Sequence, residues 1–126
     1  YPTEDYVFGE DLLKLIEPSL FQYALGHGYN VTNPEEENPM RILVKQDDLI
    51  RHIELNPGRT QLEVFAVAYC DEGNIRYHKA ESVGQLNVPL NIASLVETLE
   101  RANGLASRWN KEELSPYQKQ KFVPQS

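Results

Sequence analysis

A thiol nucleophile needs a base within hydrogen-bond reach, and one such pair is available in "VFAVAYCDEGNIRYHKAES": Cys70, the only cysteine, and His78, one of three histidines. A second pair, His52 and Glu54 in "DLIRHIEL", is spaced by two residues. On a strand both side chains leave the same face, so they could serve as a base with its orienting carboxylate or as two ligands of a metal ion. Glu35 to Glu37 in "NVTNPEEENP" are adjacent carboxylates, but without the glycine turn and spaced oxygens of a calcium loop they read as a solvated charge run. His27 sits in "GHG", where Gly26 and Gly28 can take the positive φ that ends a helix, so it reads as a residue at a helix end. The common motif-borne chemistries are missing: no GxGxxG, GxxxxGKS or GxxxxGKT, HExxH, GxSxG or CxxC occurs.

What these pairs can do depends on the strands that carry them. From Met40 to about Ser82 the alternation of apolar and polar residues predicts four strands in an antiparallel meander. A Gln46-Asp47 loop pairs Val44 with Leu49, Ile42 with Arg51 and Met40 with Ile53. An "NPGR" loop pairs Leu55 with Thr60, Ile53 with Leu62, Arg51 with Val64 and Ile50 with Phe65. A Glu72-Gly73 loop pairs Cys70 with Ile75, Ala68 with Tyr77 and Val67 with His78. Together these registers collect Met40, Ile42, Val44, Leu49, Ile53, Leu55, Leu62, Val64, Ala66, Ala68, Cys70, Ile75 and Tyr77 on one face, the expected core, with Arg51 as its one misfit.

His78 then lies on the opposite face from Cys70, which argues against a catalytic pair unless a bulge in the turn reverses one of them. A cysteine on the small-residue stripe of a central strand reads as a buried hydrophobe with an inert thiol. His52 and His78 share the second face but stand roughly 16 Å apart from strand spacing and rise, too far for one ion, and these strands supply no third ligand beside Glu54. No metal and no cofactor is expected.

The second face is the informative surface. The registers line up Leu43, Ile50, Phe65 and Ala80 across it, continue the apolar centre with Val67 and Tyr69, and surround it with Arg41, Lys45, Glu54, Glu63, Arg76 and His78. An apolar, aromatic centre with a charged rim is the composition of an interface. The competing expectation is a three-layer domain in which the N-terminal helical segment covers this row and makes it a second core.

Two helical regions flank the strands. "GEDLLKLIEPSLFQYALGHGYN" places Leu12, Leu15, Ile16, Leu20 and Tyr23 or Ala24 at helical spacing, with Pro18 breaking or kinking it into two short helices or one bent one. In "NIASLVETLERANGLASRWN", Asn91 is a good N-cap, and Ile92, Leu95, Val96, Leu99, Ala102, Ala106 and Trp109 form the stripe expected to cover the sheet. Asn103-Gly104 is a candidate end. The expected fold is therefore α+β: a four-stranded antiparallel β-meander over about residues 40–82, flanked by an N-terminal helical segment and a C-terminal helix. One domain spans residues 1–114, and residues 115–126 form a tail that is mobile unless Tyr117 and Phe122 dock.

A net charge of −7 sets most of the surface against phosphate and anionic lipid, so neither nucleic acid nor membrane is an expected partner. The basic residues near the C-terminus alternate with glutamates and read as a solvated face. A single cysteine cannot form an internal disulfide, and a cytoplasmic setting is the default. Tyr1 in place of methionine leaves room for a removed leader, and Asn30-Val31-Thr32 matches a glycosylation acceptor that arises easily by chance.

The expected function is that of a non-enzymatic, acidic protein-binding module of the adaptor, inhibitor or immunity, or chaperone type. Its partner-binding residues are Leu43, Ile50, Phe65, Val67, Tyr69, Glu54, Glu63, Arg76 and His78. The partner is a protein, basic in character, or a second copy forming a homodimer. Two alternatives stand beside this: a motif-poor enzyme using His52 with Glu54 or Cys70, and a structural subunit of a larger assembly.

Overall fold

The computed structural model describes residues 9–32, 40–59, 61–87 and 91–118. Helix α1 (Gly9–His27) is followed by strands β1 (Asn30–Thr32), β2 (Arg41–Gln46), β3 (Ile50–Pro57), β4 (Gln61–Glu72) and β5 (Ile75–Asn87). Helix α2 (Ile92–Arg108) then leads through a 3-10 turn (Lys111–Glu113) to β6 (Ser115–Gln118). The six strands form one antiparallel sheet in chain order. The α+β class is as expected, but the sheet has six strands rather than four. The two extra strands are edges of three and four residues, too short for alternation to reveal. Residues 115–118 thus belong to the sheet, while Glu35 to Glu37 and Phe122 lie outside the described residues.

Both helices pack on the same side. Leu12, Leu13, Ile16 and Leu20 of α1 join Leu95, Leu99, Ala102 and Ala106 of α2 in one buried cluster with Leu43, Ile53, Leu55, Leu62, Val64, Ala66 and Ala68 of the sheet. The architecture is two-layered, and among the described residues no element lies across the other face of the sheet.

The turns decide which residues reach that core. Gln46 pairs with Ile50 across a three-residue turn, Asp47-Asp48-Leu49. Within it the Asp47 side chain accepts the Leu49 N–H at 3.0 Å, an Asx turn. Three loop residues in place of the expected two reverse the parity of β2, because a one-residue change in count moves every side chain to the other face. Leu43 opposite Ile53 therefore faces the helices and is fully buried, whereas Ile42 and Val44 turn to the other side. This corrects the expectation that Met40, Ile42 and Val44 form core and that Leu43 forms surface.

The other two registers differ from expectation by even numbers, so their faces hold. β3 continues through Asn56 and Pro57 before turning, with the Gly58 N–H donated to the Gln61 carbonyl at 2.7 Å, and Ile53 pairs with Ala66 instead of Leu62. β4 and β5 turn at Gly73-Asn74, where Gly73 takes φ 63° at the first central position, and Cys70 pairs with Tyr77 instead of Ile75. A bulge between Val64 and Phe65 on one strand and Ser82 and Gly84 on the other leaves Val83 as the extra residue, and so brings Leu86 opposite Leu62 on the helix side.

α1 runs unbroken through Pro18, since Ile16 and Leu20 are buried on either side of it and hold both halves to the sheet. Its end is the expected glycine cap: Gly28 has φ 78°, and the Tyr29 N–H is donated to the Ala24 carbonyl at 2.9 Å, the longer bond of a Schellman motif. Asn91 caps α2 by accepting the Ser94 N–H at 2.7 Å. The helix does not stop at Asn103-Gly104. Asn103 is held by the Tyr29 hydroxyl, donated to its Oδ1 at 2.5 Å, and the next turn buries Ala106.

Arg51, the misfit on the core face, explains how that last turn is anchored. Its side chain is only 6% exposed. Nη1 donates to the carbonyls of Ala106 and of Trp109, the latter at 2.8 Å. Nε reaches Asp47 at 3.0 Å and Nη2 reaches Asp48 at 3.0 Å. One guanidinium thus satisfies carbonyls at the negative end of α2 and fixes the turn that sets the β2 register. Burial pushes the Asp47 carboxyl up, but the Leu49 N–H, a hydrogen bond with Asp48 and the Arg51 charge together bring it below its ordinary value. Arg51→Ala is expected to cost on the order of 3 kcal/mol of stability, because it strands buried carbonyls, and Arg51→Lys to recover little of it for want of the fork. Thermal melts of the two variants check this, and a loss under half a unit of kcal/mol in either would contradict it.

Candidate functional site

The open face is built from alternate residues of all six strands, with Asn30 and Thr32 of β1 beside Val44 and Ile42 at one edge. One row runs Val44, His52, Val67 and Ala80; the next runs Ile42, Glu54, Phe65 and Ser82; a third runs Ile50, Tyr69, His78 and Ser115. Ile50, Phe65, Val67, Tyr69, Glu54, Glu63, Arg76 and His78, all expected on this surface, are there. Leu43 is not, being in the core, and Arg41 and Lys45, expected on the border, share its helix side, Arg41 paired with Glu17 of α1 at 3.3 Å and Lys45 over the Tyr29 ring; the transverse row expected from Leu43 through Ile50, Phe65 and Ala80 does not form. Ile42 and Val44 take Leu43's place. The signal that identifies them is the Asp-Asp pair before Leu49, whose side-chain turn makes the loop one residue longer.

Most of these side chains are half-buried, and Val67 is 5% exposed although no described element lies across this face. The polar groups are tied in place. Arg76 donates from Nε to Asp71 Oδ1 at 2.6 Å and from Nη2 to Asp71 Oδ2 at 2.9 Å, and its guanidinium lies 4.1 Å from the centre of the Tyr69 ring. The His52 ring meets the Tyr69 ring edge-on at 5.3 Å, and its Nδ1 lies 3.2 Å from Glu54 Oε2. Ser82 donates to Glu63 at 3.1 Å. Pre-fixed side chains lose little freedom when a partner covers them, which favours recognition.

The chemical alternatives fare differently in this geometry. Cys70 is half-buried on the helix side, packed against the core, with His78 on the reverse of the sheet opposite Tyr69, so the two cannot meet. His52 and His78 are separated by two strands and two residues, about 12 Å between backbones, nearer than the expected register implies. Among the described residues no three histidine, cysteine or acidic side chains gather as ligands of one ion. His27 is engaged at the end of α1, its ring stacked on Tyr23 at 3.9 Å, Nδ1 2.9 Å from the Tyr23 carbonyl and Nε2 3.1 Å from Glu100. No described helix is long and apolar enough to cross a membrane.

Compared with known proteins, the chain matches no family model, and no curated protein and no solved structure matches it. The functional reading therefore rests on this surface.

Burial lowers the proton affinity of His78, with the Arg76 charge and His52 acting in the same direction and Glu54 opposing them. A histidine held below its ordinary value of 6.5 supports the fold above that pH, and the support is lost as pH falls from there through the lowered value, because the unfolded chain takes up the proton first. Melting temperatures measured from about pH 7.5 to 5 should therefore fall more steeply for the native chain than for His78→Gln; parallel curves would contradict the assignment.

Proposed function

We propose that the chain is a non-enzymatic protein-binding module that captures a basic protein on the open face of its sheet. The observation that carries this is a face that no described element covers: an apolar and aromatic centre of Ile42, Val44, Ile50, Phe65, Val67 and Tyr69, bordered by charged groups, on a sheet whose reverse packs against both helices. The charge of the partner follows from that of the border. Glu54, Glu63 and Asp71 outnumber Arg76, on a chain with net charge −7, so a cationic surface is drawn to this face and an anionic one repelled. His52 with Glu54 forms part of the rim in this reading.

Phe65→Ser with Tyr69→Ser is expected to leave the monomer folded and to abolish capture of the partner, since aromatic anchors at the centre of an interface carry a large share of its energy. Glu54→Lys with Glu63→Lys should slow association at low ionic strength and do so less at high. Circular dichroism melts beside affinity measurements on the partner separate the outcomes. A folded double serine variant with unchanged affinity would sink the proposal, and an unfolded one would show that the face is structural.

A further inference from the structure

A second apolar surface lies on the opposite side of the molecule. Among the described residues the strongly exposed large apolar side chains are Leu15, Phe21 and Leu25 of α1 and Ile92 and Val96 of α2, with Leu25 85% and Leu15 69% exposed. On α1 they recur with Pro18 at spacings of three and four, so they form a ridge facing away from the buried stripe of Leu12, Leu13, Ile16 and Leu20. Beside the ridge is a cleft of about 500 Å³ lined by Pro18, Ser19, Gln22, Tyr23, Ile92 and Val96. Leu15, Ile92 and Val96 have the periodicity of core residues, and a helix apolar on both sides is one that is covered on both sides.

We propose that this surface is an isologous dimer interface whose occupant is a second copy of the chain. A two-fold contact requires one patch to be complementary to itself, and here ridge and cleft lie side by side on the same patch, so the ridge of each copy can enter the cleft of the other. The helices run in the same direction, for His27 of α1 meets Glu100 of α2 and Tyr29 meets Asn103. Lys14 therefore stands toward one end of the patch and Glu97 toward the other, both exposed, and a two-fold axis through the cleft sets each Lys14 near the second copy's Glu97. The area is also sufficient. Five side chains this exposed present on the order of 500 Å² of apolar surface per copy, and with their polar border two copies reach the roughly 1,200 Å² at which specific interfaces begin. A lipid surface fits worse, since interfacial helices carry a lysine- and arginine-rich polar face, whereas α1 offers Lys14 between Asp11 and Glu17.

Sedimentation of the full chain from about 1 to 100 µM is expected to show a reversible monomer–dimer equilibrium, the weak end of affinities for an interface of this size. Leu25→Glu and Ile92→Glu should each weaken the dimer by about tenfold or more while the monomer stays folded. Both sites are exposed, and an acidic residue suits the first turn of α2. Lys14→Glu and Glu97→Lys should each weaken it, and the two together restore it. Phe65→Ser with Tyr69→Ser should leave it intact, which separates this interface from the one proposed for the basic partner. A chain that stays monomeric at the highest concentration overturns the proposal. So does a dimer indifferent to Leu25→Glu, or a monomer that sediments with vesicles of anionic lipid.

Discussion

The bridge from Arg51 to the end of α2 is the contact on which the arrangement of this molecule depends. A buried guanidinium is costly unless its donors are met, and here they are met by the main-chain carbonyls of Ala106 in the helix and of Trp109 just past its end, and by two aspartates of a turn. Helix, sheet and turn are thereby fixed relative to one another by a single planar group. Without it the last turn of α2 would present unsatisfied carbonyls to the edge of the core, and the Asp47-Asp48-Leu49 turn would lose the cation between its carboxylates.

That turn in turn determines the character of the open face. Its three residues give Leu43 to the core and send Ile42 and Val44 outward, where they extend the apolar centre formed by Phe65, Val67 and Tyr69. Lysines finish the boundary of the core side: the ammonium of Lys45 lies over the Tyr29 ring, that of Lys79 over Trp109 and that of Lys111 over Tyr77, each a cation held at the face of an aromatic ring at the margin of the core. The helix-covered side is thus closed at its margins, and among the described residues nothing closes the reverse side in the same way.

Much of this was legible in the residues. The meander over β2 to β5, the capping roles of Asn91 and Gly28, and the core positions of β3 and β4 follow from alternation and cap chemistry, and an even error in a register leaves faces unchanged. What escaped did so for identifiable reasons. The extra residue in the first hairpin turn is specified by a side-chain hydrogen bond of Asp47 rather than by a glycine. The edge strands are too short for a period. Leu15, Ile92 and Val96 fit the same apolar spacing as the buried stripes, and periodicity reports that a helix face is apolar without saying whether it packs inside the chain or against another surface. The side of the sheet taken by α1 depends on tertiary packing that no local pattern encodes.

The bulge in β5 has a bearing on how copies of this chain can meet. Among the described residues β6 pairs only with Ile75 to His78, so the outer edge of β5 from Lys79 onward presents main-chain groups of the kind that recruit foreign strands. Val83 and Gly84 twist that edge at its middle, Arg101 donates to the Val83 carbonyl at 2.9 Å, and Lys79 and Glu81 charge the approach. Twist, a side-chain cap on a carbonyl and flanking charge are the features that oppose edge-to-edge strand addition, so along this described part of β5 the fold resists the first step of cross-β growth.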